Sequence, residues 1–109
     1  MQIKVALKDA SIGDDMKQRA EEKAQRLLKY YNKIQSIRVV LDKGDAGYVC
    51  EMVADLERAE DLVAEATERG LQAAIDEAYD RLERQLREFK DRTRHRKGRG
   101  PNPHQPSRT

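Results

Sequence analysis

Aromatic residues and cysteine are scarce in this 109-residue chain. It has no Trp, one Phe, four Tyr and one Cys, and 38% of its residues are hydrophobic against 39% charged. A chain of this length fills one domain, and with so few bulky side chains its core has to be a thin aliphatic layer. The single cysteine, Cys50, cannot form an intramolecular disulfide. The sequence therefore predicts a small two-layer domain held together by aliphatic packing.

Long apolar runs are also missing. Residues 1–10 lack the continuous apolar segment that a signal peptide requires. No stretch of the chain approaches the roughly 20 apolar residues that are needed to span a bilayer. We therefore expect a cytoplasmic protein that does not insert into a membrane.

Signatures of catalysis and of metal binding are absent as well. His95 and His104 both lie near the C-terminus, and Cys50 has no His nearby in sequence, whereas nucleophilic catalysis needs a positioned base. No glycine-rich phosphate loop, HExxH motif or paired CxxC motif occurs. Cys50 is better explained as a small buried hydrophobic residue. The sequence predicts no catalytic residue, cofactor, small-molecule substrate or metal site, and hence a protein that is not an enzyme.

Charge is abundant and unevenly distributed. Residues 90–109 hold seven of the 22 Lys and Arg but one of the 20 acidic residues, a net charge of +6, whereas residues 1–89 have a net charge of −4. Residues 94–109 also contain three prolines and no aliphatic side chain, so they cannot bury apolar surface to offset their ordering entropy. We expect one folded domain over residues 1–93 and a disordered basic tail over residues 94–109.

Apolar periodicity divides the folded region into strands and helices. Alternation with period two predicts strands, and apolar positions spaced by three and four predict amphipathic helices. The predicted strands are residues 2–7, 34–42, 48–56 and 61–67, and the predicted helices are residues 14–31 and 71 to about 92. The order β-α-β-β-β-α indicates the α+β class, with two helices lying parallel on one face of a four-stranded sheet.

Both predicted helices carry basic side chains outside their apolar stripes. Arg19, Lys23 and Arg26 project on one side of the first helix. The exposed face of the second helix carries Arg81, Arg84 and Arg87. Two such strips on neighbouring helices would form a groove suited to phosphates, and an Arg-rich tail would extend it. The alternative is that these are solubility charges, paired with acidic neighbours along each helix.

Two adjacent tyrosines follow the basic strip of the first helix. Tyr31 falls on the apolar stripe, so we expect it in the core. Tyr30 lies beside that stripe, where its ring could either pack into the core or stack on a base. The periodicity leaves both interpretations of Tyr30 open.

The second helix resembles a known family. Residues 73–76, Ala-Ala-Ile-Asp, followed by residues 80–86, Asp-Arg-Leu-Glu-Arg-Gln-Leu, are similar to the second helix of the ribosome hibernation-promoting factors and ribosome-associated inhibitors. Supporting matches are Met-Gln-Ile at 1–3, Lys-Tyr-Tyr-Asn-Lys-Ile at 29–34 and Ala-Glu at 64–65. The resemblance covers residues 1 to about 93. It departs from the family pattern at residues 70–72, Gly-Leu-Gln, where the family has an acidic residue and then Met-Tyr.

This resemblance implies the same β-α-β-β-β-α fold and a function in ribosome hibernation. Members of the family bind the decoding channel of the small (30S) subunit, also within 70S ribosomes, where they contact 16S rRNA and occupy mRNA and tRNA positions. Translation is then inhibited without any bond being made or broken. The chain resembles the short form, without the extra C-terminal domain of long members. The implied RNA-binding residues are Lys23, Arg26, Lys29, Arg81, Arg84, Gln85, Arg87, Lys90 and Arg92.

Two other functions stay open from the sequence. One is a general RNA-binding protein without ribosomal specificity, and the other is a protein-interaction module whose basic residues serve solubility. We expect a monomer, because Lys4 and Lys8 near the first strand would discourage pairing of strand edges.

Overall fold

The secondary structure follows the predicted order. The computed structural model describes the backbone of residues 2–98 and the side chains of residues 2–92. Its elements are β1 (Gln2–Leu7), α1 (Asp14–Tyr30), β2 (Ile34–Gly44), β3 (Gly47–Leu56), β4 (Leu62–Glu68) and α2 (Leu71–Gly98). The predicted α+β class and the order β-α-β-β-β-α are confirmed.

The four strands form one sheet in the order β1-β2-β3-β4. β1 runs parallel to β2, and the other neighbours are antiparallel. A parallel pair needs a crossover connection, which α1 provides. The β2–β3 hairpin closes between Gly44 and Gly47, and Gly47 has a φ of 142°. A Cβ atom at Gly47 would collide with the backbone carbonyl oxygen of Glu68, so only glycine fits this turn.

The core lies between one face of the sheet and the two helices. α1 packs on β1 and β2, and α2 packs on β3 and β4. Inward-facing positions alternate along each strand, and paired residues such as Val39 and Met52 are both buried. No charged or polar side chain is buried among the residues whose side chains are described. The largest fully buried side chains are Leu27, Ile34, Ile37, Leu41, Met52, Ile75, Leu82 and Leu86.

α2 is longer than its apolar periodicity indicates. The apolar positions stop at Phe89, so the sequence predicted an end near Arg92 and a disordered tail from residue 94, but the helix continues to Gly98. No proline occurs before Pro101, so no missing backbone N–H interrupts the helix before Gly98. The remainder of the predicted tail, residues 99–109, lies outside the described residues.

Candidate nucleic-acid interface

α1 and α2 lie side by side and run in the same direction. Near their N-terminal ends, Nη2 of Arg19 is 3.1 Å from both carboxylate oxygens of Asp76. Near the C-terminal end of α1, the ring of Tyr31 meets that of Phe89 edge to face, with 6.1 Å between centroids. The predicted parallel placement of the helices is confirmed. We call the line of contact between them the helix seam.

Lys23 belongs to the N-terminal half of the helix seam, where its charge is neutralised. Its Nζ lies 3.6 Å from Oδ1 of Asp76 and 4.6 Å from the centre of the Tyr79 ring. The side chain keeps only 18% of its surface exposed, and Arg19 shares the same carboxylate. This part of the seam therefore offers little uncompensated positive charge to a phosphate.

The C-terminal half of the helix seam is different, because cations collect there. Nζ of Lys90 lies 4.4 Å from the centre of the Tyr30 ring and 3.4 Å from the Tyr30 carbonyl oxygen, to which it donates. Arg26 precedes Tyr30 by four residues and Arg87 precedes Lys90 by three, so each lies one turn away on its helix. Arg87 is only loosely held, at 3.8 Å from Glu83. We call Arg26, Arg87 and Lys90 the seam cluster.

Arg81 and Gln85 lie on the opposite side of α2, against the edge strand β4. Nη1 of Arg81 donates to the backbone carbonyl oxygen of Glu65, and Nε2 of Gln85 donates to that of Val63. Four residues of helix rise about 6 Å and two residues of strand about 6.6 Å, so the two spacings match. Sequence reasoning missed this role. The only signal in the sequence was the spacing: two long donor side chains four residues apart on a helix match two carbonyl groups two residues apart on a strand.

The remaining predicted RNA-binding residues lie in solvent. Within residues 2–92, Arg26, Lys29, Arg84 and Arg92 are exposed and make no hydrogen bond or ion pair to the protein. Helical spacing places Arg84 and Arg92 toward the β4 side of α2, away from the helix seam. The structure thus divides the predicted site into two parts. One is the seam cluster with Lys29 nearby, and the other is a basic strip of Arg84 and Arg92 toward the β4 side of α2.

Cys50 lies in the core, as the sequence predicted. Burial, with a smaller contribution from Glu51, raises the pKa of its thiol to about 12, so the sulfur stays protonated and unreactive near neutral pH. Among the side chains of residues 2–92, no group of three or more His, Cys, Asp or Glu is arranged to hold a metal ion. None of the helices described over residues 2–98 combines the length and apolar character that crossing a membrane requires.

Comparisons with known proteins agree with this fold. Residues 3–94 match the family model described as Sigma 54 modulation protein / S30EA ribosomal protein. A ribosome hibernation promoting factor from Azotobacter vinelandii is 29% identical over 92 residues, which cover 84% of this chain and 85% of that protein.

Two solved structures share the fold. The N-terminal domain of Thermus thermophilus Protein Y is 32% identical, with a TM-score of 0.70 over 82% of this chain and 99% of that one. A ribosomal subunit interface protein from Coxiella burnetii is 19% identical, with a TM-score of 0.74 over 84% of this chain and 99% of that one. The resemblance found in the sequence is therefore confirmed, and the chain belongs to the Sigma 54 modulation protein / S30EA ribosomal protein family.

Proposed function

We propose that this protein inhibits translation by binding the decoding channel of the 30S subunit, alone or within 70S ribosomes, and occluding the mRNA and tRNA sites. Family membership supports the proposal, as do relatives named for ribosome hibernation and for the ribosomal subunit interface. In this proposal the free protein is a cytoplasmic monomer. It acts by occupancy and makes or breaks no bond.

The observation that carries the proposal is the set of exposed, unneutralised cations on the outer faces of the helices. Arg26, Lys29 and Arg84 take no part in the core and have no acidic partner among the described side chains, so their charge is available to phosphates. Each phosphate contact releases condensed counterions, which makes binding strongly dependent on salt. These cations suit rRNA, and their positions are fixed because both helices are packed on the sheet.

The predicted RNA-binding residues contribute unequally in this proposal. Lys23 is largely buried beside Asp76, and Arg81 and Gln85 bond the β4 carbonyls at 2.6 and 2.9 Å, so these three act mainly by positioning the helices. Direct contact with 16S rRNA falls to the others. Those residues are Arg26, Lys29, Arg84, Arg87, Lys90 and Arg92. Arg87 and Lys90 have longer contacts, of 3.8 Å to Glu83 and 3.4 Å to the Tyr30 carbonyl oxygen, and keep their charge for phosphates.

The test is co-sedimentation with purified 30S, 50S and 70S particles at two salt concentrations. The test variant reverses four exposed charges on the helices, and the control reverses four exposed charges elsewhere. The test changes are Arg26→Glu, Lys29→Glu, Arg84→Glu and Arg87→Glu, and the control changes are Lys4→Glu, Lys8→Glu, Arg58→Glu and Arg69→Glu.

We expect stoichiometric, salt-sensitive binding to 30S and 70S particles that the helix variant loses and the control variant keeps. Equal loss in both variants would indicate attraction by net charge alone and contradict the basic-helix site. Equal affinity for unrelated structured RNA would favour a general RNA-binding protein. If ribosomes are not bound at low salt, the proposal is wrong and a protein-interaction module becomes the better hypothesis.

A further inference from the structure

Tyr30 and Tyr31 are adjacent in sequence but have opposite environments. The Tyr31 side chain is buried against Phe89, and burial raises the pKa of its hydroxyl. Tyr30 is 36% exposed, and it is one of two large hydrophobic residues described as exposed, with Val63. Packing accounts for Tyr31 but leaves part of the Tyr30 ring in solvent, where a polar residue would cost less. The exposed part of the Tyr30 ring is therefore accessible to a ligand.

The surroundings of Tyr30 are cationic. Nζ of Lys90 lies 4.4 Å from its ring centre, and Arg26 lies one helical turn away on α1. The exposed valine offers a contrast, because Val63 lies opposite Val53 on β3 and has no aromatic face on which a base could stack. An exposed aromatic ring beside cations suits a polyanion that also carries planar bases.

We infer that Tyr30 is a stacking platform for an unpaired RNA base, with Lys90 and Arg26 binding the adjacent phosphates. Proteins that bind single-stranded RNA combine these parts, since every base has a π-face and every nucleotide a phosphate. The inference rests on the proposed function and deepens it. It specifies that this end of the helix seam recognises a single-stranded or looped segment, because bases inside a duplex have no free face.

Lys90 also holds the ring in place before RNA arrives. Its ammonium group contacts the Tyr30 ring and donates to the Tyr30 carbonyl oxygen at 3.4 Å, which joins the C-terminal end of α1 to α2. A ring that is already ordered loses less conformational entropy when a base stacks on it. Lys90 is therefore a positioning residue for Tyr30 as well as a phosphate ligand.

The experiment compares Tyr30→Leu and Tyr30→Phe with the unchanged protein. Tyr48→Leu is a matched control, because Tyr48 also lies under a lysine, Lys43, at 5.6 Å, but at the opposite end of the sheet. Binding is measured with 30S subunits across a salt series. It is also measured with a labelled single-stranded RNA and with a duplex of the same length, at low salt. Ultraviolet cross-linking followed by mass spectrometry identifies the residue and the nucleotide in contact.

We expect Tyr30→Leu to bind 30S subunits and single-stranded RNA about tenfold more weakly, which is about 1.4 kcal/mol and within the range for one stacked base. Tyr30→Phe and Tyr48→Leu should stay within about twofold. The salt slope should be unchanged in Tyr30→Leu but smaller by about one in Lys90→Ala, because only Lys90→Ala removes a phosphate contact. If Tyr30 had only a structural role, Tyr30→Leu would change the salt slope together with the affinity.

The inference is overturned if Tyr30→Leu binds single-stranded RNA as tightly as the unchanged protein does. A cross-link from Tyr30 to a nucleotide inside a duplex would also overturn it. Failure of the unchanged protein to bind ribosomes is a separate result: it contradicts the proposed function, while the comparison of single-stranded with duplex RNA still decides the role of Tyr30.

Discussion

Gln85 on α2 donates a hydrogen bond from Nε2 to the backbone carbonyl oxygen of Val63 on β4, at a distance of 2.9 Å. One turn earlier, Arg81 makes the same kind of bond to Glu65, at 2.6 Å. β4 is an edge strand, and unpaired edge carbonyls are open to pairing with another chain. Two side chains that resemble RNA-binding residues in sequence thus cover an edge of the sheet.

Replacing Gln85 should therefore reduce the stability of the fold. We expect Gln85→Leu to lower the free energy of unfolding by about 1 kcal/mol, because one hydrogen bond is lost. Urea denaturation measures the change, with Arg84→Ala as the control, since Arg84 is exposed without a partner among the described side chains and should stay within about 0.5 kcal/mol. Equal stability of Gln85→Leu and the unchanged protein would contradict the edge-covering role.

Asp76 neutralises two cations of α1, so its loss should affect stability and RNA binding in opposite directions. In Asp76→Asn we expect the free energy of unfolding to fall by about 0.5 to 1 kcal/mol, since all three groups are partly exposed. The freed Arg19 and Lys23 should raise affinity for ribosomes at low salt and steepen its salt dependence. Asp80→Asn, at an exposed residue of the same helix, controls for the change in net charge. If Asp80→Asn changes stability and ribosome affinity as much as Asp76→Asn does, Asp76 has no specific role in neutralising Arg19 and Lys23.

Stability should fall at alkaline pH because of Cys50. Its pKa is about 12 in the folded protein against an ordinary value of 9.0, so above pH 9 the unfolded chain loses a proton that the folded chain keeps. The contribution is fully present below pH 9 and decreases by about 1.4 kcal/mol per pH unit between pH 9 and 12. Urea unfolding at pH 7.5 and 10 should show a smaller decrease for Cys50→Ala, by about 1.4 kcal/mol. An identical decrease in both proteins would mean that the thiol ionises freely in the fold.

Gly47 and Gly70 should respond differently to alanine. At Gly47 the φ of 142° is unfavourable for any side chain, and a Cβ would meet the Glu68 backbone, so we expect Gly47→Ala to cost about 2 kcal/mol. At Gly70 a Cβ meets no atom within 4 Å, so Gly70→Ala should cost less, about 0.5 to 1 kcal/mol, because alanine is a poorer N-cap for α2. Thermal unfolding followed by circular dichroism compares the two. A similar loss in both would contradict the steric account of the hairpin.

Local sequence patterns were sufficient to predict the strands and helices but not the residue at which α2 ends. The alternation of Ile3, Val5 and Leu7 predicted β1, because side chains on a half-buried strand face the core at every second residue. The end of α2 was predicted too early, since apolar periodicity reports which residues face the core and stops at Phe89. A helix continues as long as its backbone bonds and propensities allow, here to Gly98.

The candidate site was predictable as a set of residue types but not as an arrangement. Arg26 and Arg84 are exposed, as their positions on the helical wheels indicate. Lys23 and Gln85 have partners that lie 53 and 22 residues away in sequence, and no periodicity relates them to those partners. Periodicity placed Tyr31 in the core correctly, but Tyr30 could be assigned to the surface only after the two helices were seen to meet at Phe89 and Lys90.

The sequence by itself determined the element order, the α+β class, the family and the basic strips on the helices, because each depends on local spacing or on residue type. The tertiary structure alone decided which contacts the predicted RNA-binding residues make within the protein. Asp76 neutralises Lys23, β4 engages Arg81 and Gln85, and Lys90 joins Tyr30 at the end of the helix seam. Such contacts depend on the distance and direction between groups on different elements, and these exist only once the helices are packed on the sheet.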